Sequence, residues 1–378
     1  MRLFVCQNCA QMLFFENEHC EHCKRKLGYL PVETDLTVVD PKGDNWLPRV
    51  DGSNEYVFCD NAKYNACNWL VKADLTDKVC MACRHNRVVP DLSVPENLAR
   101  WRKIEFAKHH LFYTLIKLGL PLANRVDDPQ NGLAFDFLTE TPNRTTPVLT
   151  GHDHGLITLN IAEADDGARE QLRQQMGEPY RTLLGHFRHE VGHYFWDVLV
   201  DRGGKLEEYR AVFGDERPDY GEALKKHYAD GAPPNWQQNF VSSYATAHSW
   251  EDFAETWAHY LHIVDTLEMA GSFGLRVSPQ VETSLETEAD LDTTISDAED
   301  INALIAAWLP VTLAVNSLNR CMGQPDLYPF IISETVITKL GFIHDLIRGK
   351  LKPVKRRGGK EAETTREAVA SQTVGAPT

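Results

Sequence analysis

The stretch that decides the fold is His189-Glu190-Val191-Gly192-His193. Residues four apart lie on one face of an α-helix, so the two histidines can each direct a ring nitrogen at one metal ion. Glu190 stands one position further round, where its carboxylate can reach a water molecule at an open coordination position. The stretch therefore predicts a zinc site with a general base beside it. Chance occurrence on an ordinary helix is the weaker interpretation.

The residues around this stretch predict the helix that it needs. Apolar side chains recur at spacings of three and four, Pro179 suits a first turn, and the pair Gly203-Gly204 suits an end. The apolar positions are Tyr180, Leu183, Leu184, Phe187, Val191, Tyr194 and Val198.

A third protein ligand is expected from the segment 244–260. Ser249 and Asp252 have the spacing of a capping box, which predicts a second helix that begins near Trp250. For an acid in this segment, the alternative is a solvent-facing carboxylate that stabilises the helix N-terminus. The candidate ligands by spacing alone are His248, Glu251, Glu255 and His259.

Together these motifs resemble the gluzincin-type metallopeptidases, and within them the group that includes anthrax lethal factor. That group combines a His-Glu-x-Gly-His helix with a downstream Tyr and, seven residues later, Glu-x-Phe-Ala-Glu. The resemblance implies that Glu251 is the third zinc ligand, that Tyr244 donates a hydrogen bond in the transition state, and that Glu255 orients a ligand. The matching residues are His189, Glu190, Gly192, His193, Tyr244, Glu251, Phe253, Ala254 and Glu255.

Nearly the whole chain, residues 1–345, also resembles a bacterial family of zinc-binding metallopeptidases that carry an N-terminal zinc-ribbon region. This second resemblance leaves the substrate open. The stretches that carry it include Glu178-Pro-Tyr-Arg-Thr-Leu-Leu-Gly-His-Phe-Arg and Trp257-Ala-His-Tyr-Leu-His.

Eight of the nine cysteines precede residue 84 and form two quartets. Two Cys-x2-Cys knuckles in one quartet are a strong signal for a four-thiolate zinc site, and the second quartet, with one knuckle, predicts another. Disulfides are the alternative, which is disfavoured because nothing like a signal peptide precedes the knuckles. The lone Cys321 is expected to be buried. The quartets are Cys6, Cys9, Cys20 and Cys23, followed by Cys59, Cys67, Cys80 and Cys83. Three histidines lie beside the knuckles, where they could replace one thiolate, although solvent-exposed neighbours are the commoner outcome: His19, His22 and His85.

Composition indicates a soluble, cytoplasmic protein with no membrane partner. The chain is 43% hydrophobic with a formal net charge of −15, and we expect no apolar run of membrane-spanning length. Residues 1–95 hold 11 Lys or Arg and 13 Asp or Glu, so the basic excess of a nucleic-acid-binding face is missing. The ribbons are therefore expected to recognise a protein or to support the peptidase, rather than to bind nucleic acid.

The chain divides into three parts. Residues 1–95 are the zinc-ribbon region, 96–348 the zincin-like metallopeptidase domain, and 349–378 a basic tail whose composition is typical of disorder. Capping-box patterns predict that one helix begins at Ser93 and another at Ser296.

Further elements are expected around the histidine helix. Residues 155–161 predict an edge strand that binds substrate in extended form, flanked by His152 and His154 as turn residues or substrate contacts. Residues 203–240 predict an insertion over the cleft, and a last helix is expected over 333–348.

The predicted fold class is α+β: a mostly helical zincin-like domain with a small sheet, preceded by small zinc-ribbon modules. We expect a zinc-dependent peptidase in which a zinc-activated water, with Glu190 as general base, hydrolyses a peptide or isopeptide bond of a peptide or protein substrate. One catalytic and two structural Zn²⁺ are expected. The rival from another class is an inactive zinc-binding scaffold that uses its ribbons to bind partners. The intact Glu190 and Tyr244 argue against it, because a scaffold needs neither.

Overall fold

The chain combines helices and sheets, with a β-rich N-terminal region followed by a helical domain. The predicted start of the histidine helix near Pro179 was wrong, because Thr182 has extended backbone, caps the helix and is followed by its first residue, Leu183. The tail from residue 352 onward lies outside the described residues. The computed structural model describes residues 1–140, 148, 150–167, 169, 182–281 and 287–351.

The N-terminal region consists of a small hairpin and a larger antiparallel sheet. The hairpin pairs β1 (Phe4–Val5) with β2 (Met12–Leu13). The strands of the sheet are neighbours in sequence order, so each connection is a simple turn or loop. They are β3 (Leu27–Leu30), β4 (Asp35–Lys42), β5 (Asn45–Pro48), β6 (Tyr56–Phe58) and β7 (Leu70–Lys72).

Aromatic rings join this region to the first long helix, α1 (Pro95–Lys117). Tyr29 packs on Trp69 with ring centroids 4.7 Å apart, and Phe15 lies 4.8 Å from Tyr29. The Phe15 ring is also 5.4 Å from that of Tyr113 on α1. All four rings are buried in a single hydrophobic cluster that extends through the helical domain. The N-terminal region therefore completes its thin core with apolar surface of α1.

A four-stranded sheet adjoins the helices, and it corrects the prediction of an edge strand at 155–161. That strand forms, but it is internal, because it pairs with one neighbour on each side. The edge strand is the one before it, since the chain folds back at His154 and Gly155, both of which have positive φ. In spatial order the strands are β10 (Gly151–Asp153), β11 (Leu156–Asn160), β9 (Ala134–Leu138) and β8 (Asn86–Val88).

Two helices pack against each other at the centre of the helical domain. α2 (Leu183–Phe195) contains the histidine pair and continues as a short π-helix, Trp196–Asp201, before Gly203-Gly204. α5 (Ser249–Ser272) lies along α2 and is buried over most of its length. Further α-helices are α3 (Leu206–Phe213), α4 (Tyr220–Asp230), α6 (Ile301–Cys321) and α7 (Glu334–Ile347).

The contact between α2 and α5 leaves no room for a side chain at Gly192. A Cβ atom added there would lie 2.9 Å from Ala254 Cα and 3.3 Å from Trp257 Cβ. Because Ala254 Cα is backbone and cannot turn aside, only glycine fits without moving a helix. Gly192 therefore sets the distance between the histidine helix and the helix that faces it.

Three predicted helix caps were wrong, although the helices form. α1 follows Val94 and has no side-chain cap, α5 is capped by His248, and α6 is capped by Asp300. The Nδ1 atom of His248 accepts the Trp250 N–H at 3.1 Å. Which side chain reaches the free N–H groups depends on how the preceding loop enters the helix, and spacing does not encode that path. The predicted caps were Ser93, Ser249 and Ser296.

α6 is long and apolar enough to cross a membrane by length and composition, so the expectation that no such run exists was wrong. The qualifying window is 39% buried inside the protein. Leu304 and Trp308 place one face of α6 in the core, whereas Leu313 and Leu318 are exposed. Core helices of soluble proteins pass the same test.

Candidate metal centre

Three side chains from two helices converge on one point. His189 Nε2 and His193 Nε2, one turn apart on α2, are separated by 3.2 Å. Glu251, in the first turn of α5, places one oxygen 3.0 Å from His189 Nε2 and the other 3.5 Å from His193 Nε2. These donor atoms lie within 4.8 Å of one another, so they can bind one ion.

The surroundings of these atoms fit a cation. With Zn–N bonds of about 2.0–2.1 Å, two nitrogens of a tetrahedral site are about 3.3 Å apart, close to the separation seen here. Burial lowers the pKa of His189, but Glu251 and Glu255 outweigh it and raise that pKa well above its usual value. The carboxylates that hold a proton so firmly supply the negative potential that a divalent ion needs. Among the described residues, His193 Nδ1 and Glu251 Oε2 have no well-formed hydrogen bond.

Glu255 fixes the orientation of His189. The Nδ1–H of His189 donates to Glu255 Oε1 at 2.6 Å, and Ser242 Oγ donates to the other oxygen at 2.6 Å. Because Nδ1 keeps its hydrogen on Glu255, a bound ion would replace the proton on Nε2 and use the lone pair that points toward the shared point. Glu255 thus lies where an orienting carboxylate is expected.

Glu190 is held by a histidine that sequence reasoning missed. His186, one turn earlier on α2, lies 3.2 Å from Glu190 Oε1 through Nε2 and donates through Nδ1 to Glu163 Oε2 at 2.7 Å. Burial lowers the pKa of His186, but Glu163 and Glu190 outweigh it and raise that pKa to about 9. Burial raises the pKa of Glu190, but His186 more than offsets it, so the pKa is lowered. Its spacing of four from Glu190 was the available signal.

Two tyrosines border the centre. Tyr244 opens a short 3-10 helix before α5, and its ring centroid is 5.9 Å from that of His189. Tyr220, the first residue of α4, donates its hydroxyl to Glu251 Oε1 at 2.6 Å and also interacts with the hydroxyl of Tyr244. No sequence pattern pointed to Tyr220, because its segment showed only the polar character of an insertion.

Other histidines that were candidates have different roles in the fold. His248 caps α5, and His259 shares a hydrogen bond of 2.6 Å with the Tyr328 hydroxyl. His152 lies on β10, where its Nε2 accepts the Gly155 N–H at 2.9 Å and stabilises the turn. These three side chains do not belong to the cluster that His189 and His193 form with Glu251.

The first cysteine quartet converges around one point. Cys6 Sγ lies 3.7 Å from Cys23 Sγ, and Cys9 Sγ lies 3.5 Å from Cys20 Sγ. Sulfurs on a tetrahedral zinc with bonds of about 2.3 Å are about 3.8 Å apart. The four thiols therefore fit a zinc ion.

The second quartet also converges, and a histidine adjoins it. Cys67 Sγ lies 3.7 Å from Cys80 Sγ, and His109 Nε2 lies 3.3 Å from Cys67 Sγ. His109 was missed because it stands on α1, which the sequence marked only by its apolar face. The four thiols within one cluster are Cys59, Cys67, Cys80 and Cys83.

All nine cysteines are free thiols, so the disulfide alternative is not realised. Cys321 is exposed at the end of α6, contrary to the expectation of a buried residue. Among the described residues, neither thiol cluster includes His19, His22 or His85. His85 Nδ1 instead donates to the Leu133 carbonyl at 2.8 Å.

Comparisons with known proteins agree with this arrangement. The profile of a family described as "putative zinc-binding metallo-peptidase" matches residues 97–346, and the profile of a zinc-ribbon domain matches residues 3–94. Relatives from Mycobacterium bovis and Mycobacterium tuberculosis, each called "uncharacterized protein", are 41% identical over 348 residues, which cover 92% of this chain and 95% of the relative. No solved structure matches the chain. The chain therefore belongs to this family of zinc-binding metallopeptidases and carries a zinc-ribbon domain at its N-terminal side.

Proposed function

We propose that the protein is a zinc-dependent peptidase that hydrolyses a peptide or isopeptide bond in the cytoplasm. The observation that carries the proposal is the convergence of His189 Nε2, His193 Nε2 and the Glu251 carboxylate, with Glu190 next to His189 on the same helix. Glu251, Glu255 and Tyr244 all lie around the histidine helix, which supports a zincin-like domain of the gluzincin type.

In this proposal Glu190 is the general base. Zinc supplies Lewis acidity when bound, which polarises a carbonyl group and makes water more acidic. The lowered pKa of Glu190 keeps its carboxylate ionised at neutral pH, so that it can accept a proton from water. Glu190 then transfers this proton to the leaving amine, and the hydrogen bond from His186 holds the carboxylate in place.

Tyr244 and Tyr220 supply hydrogen bonds at the same centre. Burial, and next the charge of Glu251, raise the pKa of both phenols, so both stay protonated as donors. Tyr244 is proposed to stabilise the oxygen on which negative charge develops during the reaction. Tyr220 already donates to Glu251, so its proposed role is to hold that ligand.

Two structural zinc ions are proposed in addition to the catalytic one. The two thiol clusters supply their ligands, and loss of these ions should unfold the N-terminal region, whose strands are short. The ribbons would support the peptidase or bind a protein partner.

The test is a comparison of wild type with Glu190→Gln on a diverse peptide library, with cleavage read by mass spectrometry. Glu190→Gln should keep its zinc and lose turnover by a factor on the order of 10² to 10⁴. Glu207→Gln is the matched control, because Glu207 on α3 is 70% exposed. Unchanged turnover in Glu190→Gln would overturn the mechanism, and a zinc-loaded wild type that cleaves nothing would favour the inactive scaffold.

A further inference from the structure

We propose that the second structural zinc site is completed by His109 of α1, which binds the ion through Nε2 together with Cys67, Cys80 and Cys83. The Nε2 atom lies 3.3 Å from Cys67 Sγ, 3.6 Å from Cys83 Sγ and 4.0 Å from Cys80 Sγ. Sulfur and nitrogen on a tetrahedral zinc, with bonds of about 2.3 Å and 2.0–2.1 Å, are about 3.5 Å apart. His109 therefore stands where a fourth ligand belongs. The inference rests on the second structural ion proposed above.

The hydrogen bond of the other ring nitrogen prepares His109 for this role. Nδ1 lies 2.6 Å from the backbone carbonyl oxygen of Glu105, one turn earlier on α1. A carbonyl oxygen can only accept, so Nδ1 carries the hydrogen, and the neutral ring has its lone pair on Nε2. Histidines that bind metals in proteins usually donate their second N–H in this way. The His109 side chain is also buried, so bulk water does not compete for Nε2.

Charge favours an imidazole over a fourth thiolate. Zinc with four thiolates carries a net charge of −2, whereas three thiolates and a neutral imidazole leave −1. The site is buried, and burial penalises the higher charge more. Lys108 is close by, but its ammonium is paired with Glu105 at 2.8 and 3.0 Å, so this pair adds no net charge.

Two further donors, Glu105 and Cys59, lie near the site. The Glu105 carboxylate accepts hydrogen bonds from Lys108 at 2.8 Å, from Asn86 Nδ2 at 2.9 Å and from the Cys83 thiol at 3.4 Å, a proton that zinc binding would displace. Cys59 Sγ accepts the backbone N–H of Cys80 at 3.4 Å, as Cys67 Sγ accepts that of Trp69 and Cys80 Sγ that of Cys83, so this contact does not set Cys59 apart. What singles out Cys59 is that His109 Nε2 lies within 4.0 Å of the other three sulfurs, so that Cys59 is the fifth sulfur or nitrogen donor for four positions.

Ligation by His109 makes the ion a link between the two domains. The three cysteines come from the zinc-ribbon region, whereas His109 stands on α1, which packs against the catalytic helix α2. Detaching the ribbon would then break a metal–ligand bond as well as the aromatic contacts. The second zinc ion therefore cross-links the zinc-ribbon region to the helical domain.

Cadmium NMR of the full-length, cadmium-exchanged protein tests this assignment, because the chemical shift distinguishes four sulfur ligands from three sulfurs and one nitrogen. We expect one four-sulfur resonance from the first quartet and one resonance with three sulfurs and one nitrogen. Cys9→Ser assigns the first. Cys59→Ser should leave the second in place, whereas His109→Ala should move it to the four-sulfur position or abolish it. His110→Ala, on the same helix, is the matched control.

The wild-type spectrum alone decides the question if a variant fails to fold. Two four-sulfur resonances in wild type would overturn ligation by His109 and leave the proposed second zinc intact. A single thiolate resonance would overturn both. Neither result bears on the peptidase activity, which the Glu190→Gln comparison tests separately.

Discussion

At the scale of single residues, Glu190, the proposed general base, is held by a charged neighbour. Glu190 is buried, and burial alone would favour its neutral form, which cannot accept a proton. The charged His186, itself held by Glu163, reverses that preference. The contacts of His186 with Glu190 and with Glu163 do not involve the proposed metal ligands. His186 and Glu163 are therefore positioning residues for Glu190.

His186→Gln should therefore shift the pH dependence of the reaction. Glu190 must be ionised to act, so kcat/KM falls as the pH drops through its pKa. Without the positive charge of His186 that pKa rises, and the acidic limb of the profile should move to higher pH. We also expect kcat to fall roughly ten- to hundredfold, because the carboxylate loses its orientation. Both are measured from pH profiles of zinc-loaded enzyme.

His154→Gln is the matched control for this variant, because the His154 side chain is 79% exposed. It should leave the profile unchanged. An acidic limb that stays in place in His186→Gln, or moves to lower pH, would show that His186 does not set the proton affinity of Glu190.

Tyr244→Phe tests the proposed donor to the transition state. The change removes the hydroxyl and keeps the ring, so kcat should fall roughly a hundredfold while KM and zinc content stay almost unchanged. If kcat stays within about twofold of wild type, Tyr244 is a packing residue. Tyr220→Phe gives the contrast. Its hydroxyl supports Glu251, so this variant should lose zinc to a chelator more readily.

At the scale of elements, the centre depends on how closely α2 and α5 approach. α2 contributes His189 and His193, and α5 contributes Glu251, so the donor distances follow from the separation of two rigid helices. Gly192 permits that separation, because its missing side chain leaves room for the Ala254 backbone.

Gly192→Ala should push these helices apart. Overpacking of this kind costs about 1–3 kcal/mol of unfolding free energy, and the moved carboxylate should also weaken zinc binding. Denaturant titration and zinc competition measure the two effects. Gly221→Ala on α4 is the matched control, because a Cβ atom added at Gly221 would meet only the Asp219 side chain, at an ordinary contact distance of 3.4 Å. Full stability and zinc affinity in Gly192→Ala would show that the helices adapt without cost.

At the scale of the whole molecule, the zinc ribbon and the peptidase domain share one core. Phe15 and Tyr29 of the ribbon lie against Tyr113 of α1, in the same cluster that reaches α2 and α5. The structural ions and the peptidase fold are therefore expected to be coupled in stability, and the ribbon is not an independent appendage.

Metal removal tests this coupling. The protein should hold about three zinc ions per chain, and a chelator should remove the catalytic ion first because it has an open coordination position. Removal of the thiolate-bound ions should then lower the thermal stability of the whole chain in one transition. Metal analysis and calorimetry measure both. A measured content of about one zinc ion per chain would contradict both proposed ribbon sites. A content of about two would contradict the second ribbon site alone.

Local sequence patterns were enough to predict the main helices, the histidine pair and the cysteine quartets. The spacing of His189 and His193, the Cys-x2-Cys knuckles and the helical periodicities are short-range features, and α1, α2, α5 and α7 form where they were expected. Residue spacing in the segment 244–260 left four candidates for the third ligand. The resemblance to known metallopeptidases identified Glu251 among them. Periodicity and ligand spacing can be read in this way because they are repeated over only a few residues.

Tertiary structure alone decided the contacts between distant segments. Tyr220 reaches Glu251 from a separate helix, Glu163 reaches His186 from the turn after β11, and His109 reaches the cysteines from α1. The position of β10 at the sheet edge was settled in the same way. These contacts depend on where whole elements dock, and docking is set by the burial of apolar surface summed over the chain, which no short stretch of sequence contains.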